Sequence, residues 1–130
     1  MILTKLVEIR PLKNGTIYVK VLDGKDFTAE ELLKIYAIFE DMANGKPYKV
    51  INDARGITVG HIDMEAFKVN STKQHTPNQV AEAYLFDTLH IRLLINFYFK
   101  IFKPAIPSKM FETLEEAEKW LNRVEIEQLK

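Results

Sequence analysis

Asp53, Arg55 and His61 stand close together just after the apolar run "YKVIND", and their types could do chemistry. An acid, a guanidinium and an imidazole at the carboxyl end of a strand could bind an anionic ligand or move protons, because crevices in open α/β sheets form there. A structural alternative needs less: Asp53 pairs with Arg55 or caps loop backbone, and His61 is a solvated loop residue. The three lack the ordered nucleophile, base and orienting group that acyl or phosphoryl transfer needs. We therefore expect no catalytic residues among them and no enzyme.

Metal and phosphate chemistry have less support still. His61, His75 and His90 are the only imidazoles; no two stand four apart, no HExxH pattern occurs, and there is no cysteine. A zinc site is not expected from such a set. Ser71 and Ser108 lie in no GxSxG elbow, and Gly56 with Gly60 is too little for a phosphate-cradling loop. No metal and no cofactor are expected.

The strongest feature is apolar. "IRLLINFYFKIF", residues 91 to 102, carries few polar groups. On a helix Arg92, Asn96, Lys100 and Lys103 fall on one narrow stripe, which leaves more apolar surface than one sheet contact covers. Phe97, Tyr98, Phe99 and Phe102 are therefore candidates for an interface or an apolar ligand, unless neighbouring helices roof them. The run is too short and too interrupted to span a membrane. Two-fold pairing is the commonest way to hide such a patch, so a homodimer is expected, with Tyr98 or Phe102 pointing away from the core.

These residues need elements to hold them. "LTKLVEIRPL" and "TIYVKVLD" flank "KNG", and Asn-Gly accepts the positive φ angles of a tight hairpin. Ile17, Val19 and Val21 alternate with Tyr18, Lys20 and Leu22, so one face can be buried. A helix follows in "FTAEELLKIYAIFEDMANGKP", capped by Thr28 with Glu31 three residues on and stopped by Gly45 and Pro47. "YKVIND" reads as a central strand covered on both faces. A second helix is expected near "DMEAFKVNSTK" with Asp63 as its cap.

From Thr76 to Pro104 the pattern is ambiguous, since one long helix would satisfy it locally. We expect a split instead: an internal strand over 81–87, then a helix starting near Thr88 with Asp87 able to cap it. "SKMF" adds a short strand, and Thr113 with Glu116 opens a last helix that buries Leu114, Ala117, Trp120, Leu121 and Val124. The resulting order is ββαβαβαβα, a sheet with crossover helices.

At 130 residues the chain has the size of one domain, 1–130. Eighteen basic residues balance eighteen acidic ones, which gives no electrostatic hint of nucleic acid. Cysteine is absent and the N-terminus lacks a signal-peptide pattern, so a cytoplasmic location is expected.

"NGKPYKVINDARG", "NFYFKIFKPAIPSKMF" and "EEAEKWL", in this order, resemble the bacterial STAS/SEC14-like domains, also called SpoIIAA-like. The resemblance runs from about Gly15 to Val124. It implies an α/β fold, a mixed and largely parallel sheet with an N-terminal β-hairpin and flanking crossover helices. Anti-sigma-factor antagonists of that superfamily carry a phosphorylatable Ser or Thr at the start of the helix after the central strand. In "ITVGHIDMEAF" the nearest hydroxyl, Thr58, lies several residues too early, so that switch is not carried over. Two readings remain: a non-enzymatic, self-associating module with an unidentified protein partner, or a small lipid-like-ligand carrier of the SEC14 kind. The short chain favours the first, because most large side chains are needed for the core.

Overall fold

Asn14 and Gly15 turn the chain at positive φ, 62° and 67°, and so join β2 (Val7–Pro11) to β3 (Thr16–Val21) as the Asn-Gly pair requires. A two-residue strand, β1 (Ile2–Leu3), precedes them and pairs antiparallel with β2. The sequence pattern predicts one strand over "LTKLVEIRPL". The Thr4 hydroxyl breaks it, accepting from the amides of Leu6 and Val7 at 3.2 and 3.0 Å.

The structure is a computed structural model that describes residues 1–58, 61–62, 66, 68 and 74–129, with 61–62 and 125–129 described by backbone alone. After a short β4 (Asp26–Phe27), α1 (Ala29–Ala43) starts at Thr28, whose hydroxyl accepts from the Glu31 amide at 3.2 Å. It ends at Asn44, in left-handed conformation with φ 51°, one residue before the expected Gly45. Next comes β5 (Tyr48–Asp53), then β6 (His61–Ile62), which pairs in parallel with β4 as a separate two-stranded sheet. His61 was expected in a loop; its backbone belongs to that small sheet. The helix expected near Asp63 falls mostly outside the described residues.

The ambiguous segment is split, as expected. β7 (Gln79–Leu85) is an internal strand, and α2 (Leu89–Ile101) is separate. The strand begins and ends two residues earlier than expected, and Thr88 is the cap, its hydroxyl accepting from the Ile91 amide at 3.3 Å. Asp87 turns elsewhere and accepts from the Gly56 amide at 3.0 Å. β8 (Ser108–Phe111) and α3 (Leu114–Leu129) complete the chain, and the Thr113 hydroxyl accepts from the Glu116 amide as a cap should.

The main sheet runs β1-β2-β3-β5-β7-β8, antiparallel through β3 and parallel from β3 to β8. This is the mixed, largely parallel sheet of the expected α/β class. One face carries α3, which approaches β7 closely because Ala81, Ala83 and Ala117 meet there with no exposed surface. The other face carries α1 and α2, and large side chains such as Tyr36, Phe39 and Tyr98 stand between helix and sheet. Small residues let a helix sit down on a sheet; aromatic ones hold it away. The consequence is unequal packing of the two faces.

Candidate functional site

Asp53 ends the central strand on the α3 side, 2% exposed. Both carboxylate oxygens are engaged: Oδ1 accepts from the Arg55 amide and Nε at 3.0 Å each, and Oδ2 accepts from the Arg55 guanidinium at 2.9 Å and from the Tyr18 hydroxyl. Lys20 stands 3.9 Å away and donates to the Arg55 carbonyl. Burial alone would push the Asp53 carboxyl up, but hydrogen bonds from Arg55 and Tyr18 and the Lys20 charge hold it below its usual value. The Tyr18 hydroxyl is pushed up by burial and by that same carboxylate. Such a group is a fixed anion with filled lone pairs, suited to clamping the loop after β5. The His61 side chain lies outside the described residues, so of the expected trio Asp53 and Arg55 are brought together.

The opposite face holds a cavity of about 630 Å³. Its floor is the sheet, with Val19, Val50, Asn52, Glu82 and Tyr84; α1 contributes Leu32, Ile35 and Tyr36, and α2 contributes Ile91, Leu94, Ile95 and Tyr98. The lining is overwhelmingly hydrocarbon and aromatic. That size and character match ordinary small-molecule sites, which span roughly 300–1,000 Å³. The volume follows from the packing of this face, where aromatic side chains space the helices from the sheet.

One ionisable group lies deep in it. Glu82, 4% exposed on β7, has its Oε1 within 3.0 Å of the Tyr84 hydroxyl and 3.1 Å of the Ser108 hydroxyl. Longer contacts from the Asn52 and Gln79 amides reach Oε2 at 3.4 and 3.5 Å. A register shift at Tyr48/Lys49 sets Tyr48 opposite Gln79 but Lys49 opposite Ala81, so Val80 is the extra residue of a bulge. The bulge turns Gln79 to the same face as Glu82. Burial pushes the Glu82 carboxyl up more than these hydrogen bonds lower it. The nearby Tyr36 and Tyr48 hydroxyls are pushed up too, by burial first and by the carboxyls beside them. Sequence reading missed Glu82. The available signal was a charged residue between Ala81 and Ala83 in a strand expected to be internal, where a charge must find partners.

The apolar helix divides differently from expectation. Ile91, Ile95 and Tyr98 are buried. Of Tyr98 and Phe102, either of which was expected to lie off the core, Tyr98 packs into it at 5% exposure, whereas Phe97 is 58% exposed. Phe99 rests on Tyr84 with ring centroids 5.5 Å apart, and half-buried Phe102 packs on Tyr98. Leu89, Leu93, Phe97 and Ile101, at intervals of four, form the exposed stripe. Of the four residues first suspected, Phe97 lies on this stripe. Among the described residues no group of His, Cys, Asp or Glu is placed to hold a metal, and no helix is long and apolar enough to cross a membrane.

Residues 11–125 match the profile of a family described as a domain of unknown function, DUF7793. A crystal structure of an uncharacterised protein of the DUF3478 family from Shewanella loihica PV-4, with a SpoIIAA-like fold, is similar to this chain: TM-score 0.59, 14% identity, covering 88% of this chain and 91% of that one. That likeness establishes the SpoIIAA-like fold. Comparison with curated proteins gives no match.

Proposed function

This chain belongs to the DUF7793 family, and we propose that it works as a non-enzymatic binding protein for a small apolar ligand held between the sheet and helices α1 and α2. The observation that carries this reading is the cavity of about 630 Å³ with its hydrocarbon lining. A chain of this length was expected to fill such space with its own side chains. Here the core is divided instead, tight beneath α3 and open beneath α1 and α2. A preformed apolar pocket binds with little reorganisation, and its polar groups orient the ligand. The SEC14-like character suggested by sequence fits this reading, and so does the saturated Asp53, which has no lone pair left for a substrate.

Loss of bound ligand on filling the pocket is the test. Val50 is fully buried on the central strand and faces the cavity, so Val50→Phe adds bulk where space exists. The unmutated protein should release a co-purified apolar molecule on native mass spectrometry or bind added alkyl alcohol saturably, and Val50→Phe should do neither. Absence of both in the unmutated protein contradicts the reading.

Self-association is a second reading, favoured by the stripe Leu89, Leu93, Phe97 and Ile101. It is compatible with the first, since the stripe lies on the side of α2 away from the cavity-lining Ile91, Ile95 and Tyr98. A two-fold pair would cover it with its own complement.

A further inference from the structure

Ser108 makes two contacts with its one hydroxyl proton: its oxygen lies 3.1 Å from the Ile106 carbonyl and 3.1 Å from Glu82 Oε1. The Ser108 hydroxyl is shared between these two acceptors, and the Tyr84 hydroxyl also donates to Glu82 Oε1, at 3.0 Å. The net push on Glu82 is towards the neutral acid. Burial supports that state, because it disfavours the carboxylate. The groups facing it are the hydroxyls of Tyr36 from α1, Tyr48 from β5 and Tyr84 from β7, with Tyr98 of α2 next to Tyr36. Its hydrogen-bond partners, Tyr84, Ser108, Asn52 and Gln79, are all neutral donors. Lys25 and His90, the basic side chains on the cavity wall, are both exposed.

We propose that the cavity takes an apolar molecule bearing a basic nitrogen, an alkyl or arylalkyl amine, with the nitrogen against Glu82 and the hydrocarbon along Val50, Ile35 and Ile95. This inference rests on the ligand-binding reading above. A free amine entering the site accepts the proton of the Glu82 carboxyl, giving an ammonium beside a carboxylate. The Tyr84 hydroxyl and the Asn52 and Gln79 amides already point donors at that carboxylate and hold its charge. An ammonium taken from water arrives with its own proton, so Glu82 releases one to solvent. A carboxylate ligand gains nothing at this end: it would set a second anion beside an acid that must then stay protonated, among neutral hydrogen-bond partners.

Calorimetric titrations with octylamine, octanol and octanoate, chain length held constant, test this on the full chain near neutral pH. Octylamine should bind at least ten-fold more tightly than octanol, octanoate most weakly, and repetition in buffers of differing ionisation enthalpy should show about one proton released per octylamine. In Glu82→Gln, with folding checked by circular dichroism, octylamine should fall to the level of octanol while octanol is unchanged. Octanoate binding as well as octylamine, amine preference surviving Glu82→Gln, or amine binding without proton release would each overturn the proposal. Should Glu82→Gln fail to fold, the ranking and proton count in the unmutated protein decide it. If octanol binds but octylamine gains nothing, this inference falls and the ligand-binding reading stands. If none of the three saturates, both fall.

Discussion

Two buried carboxyls, one on each face of the sheet, behave in opposite ways because their neighbours differ. Asp53 has two cations beside it and is held ionised; Glu82 is hydrogen-bonded by the neutral Tyr84, Ser108, Asn52 and Gln79 and is pushed towards the acid. Asp53→Asn leaves Arg55 without its anion and the Tyr18 hydroxyl without its acceptor. Because Arg55 is about a third exposed, it can partly rehydrate, and the loss should be about 2 kcal/mol in denaturant unfolding at pH 7. The pH dependences should also oppose. A carboxyl lowered in the folded state contributes stability above its unfolded value of about 3.9, and that contribution disappears as pH falls through the folded value. Glu82 is raised, so its effect is most favourable below an unfolded value of about 4.3 and is lost as pH rises through the folded one. Unfolding curves across pH should therefore show Glu82→Gln gaining on the unmutated protein as pH increases. A constant difference would contradict the assignment of Glu82 as a buried acid.

Helix and strand identities were legible where local chemistry is decisive. Asn14-Gly15, the Thr28 and Thr113 caps and the break before α2 all follow from side chains acting within a few residues of themselves. The Asp53–Arg55 pairing was legible for the same reason, since two residues separate them. The bulge at Val80 was not, because it depends on the register of β7 against β5. Nor was the phase of α2: an almost wholly apolar helix has no polar face wide enough to orient it, so Phe97 and Tyr98 were candidates alike although Tyr98 packs inward and Phe97 outward. β4 and β6 are too short to show any periodicity. The observed phase sharpens the test of self-association. Leu93→Glu or Phe97→Glu removes apolar surface without touching Ile91, Ile95 or Tyr98, and stability should stay within about 0.5 kcal/mol. Light scattering should then show a monomer where the unmutated protein gives a dimer. An unmutated monomer at high micromolar concentration would end the self-association reading.

Unequal packing of the two faces governs the whole molecule. Alanines draw α3 onto β7, while tyrosines and phenylalanines prop α1 and α2 over β3, β5 and β7 and leave a space that no described side chain fills. The cavity was the feature least legible in sequence, since it is set by how three elements stand apart rather than by any motif. Its apolar character was legible only as surplus: more large hydrophobic residues in "IRLLINFYFKIF" than one sheet contact explains. Val50→Phe should therefore be accommodated, changing stability by no more than about 1 kcal/mol, whereas the same enlargement in a filled core typically costs about 1–3 kcal/mol. The most direct test is calorimetric titration of the unmutated protein and folded Val50→Phe with octanol, a probe that asks only for apolar space. Saturable binding of one molecule per chain, abolished by Val50→Phe, is the predicted result; no binding, or binding that Val50→Phe leaves intact, would contradict the account.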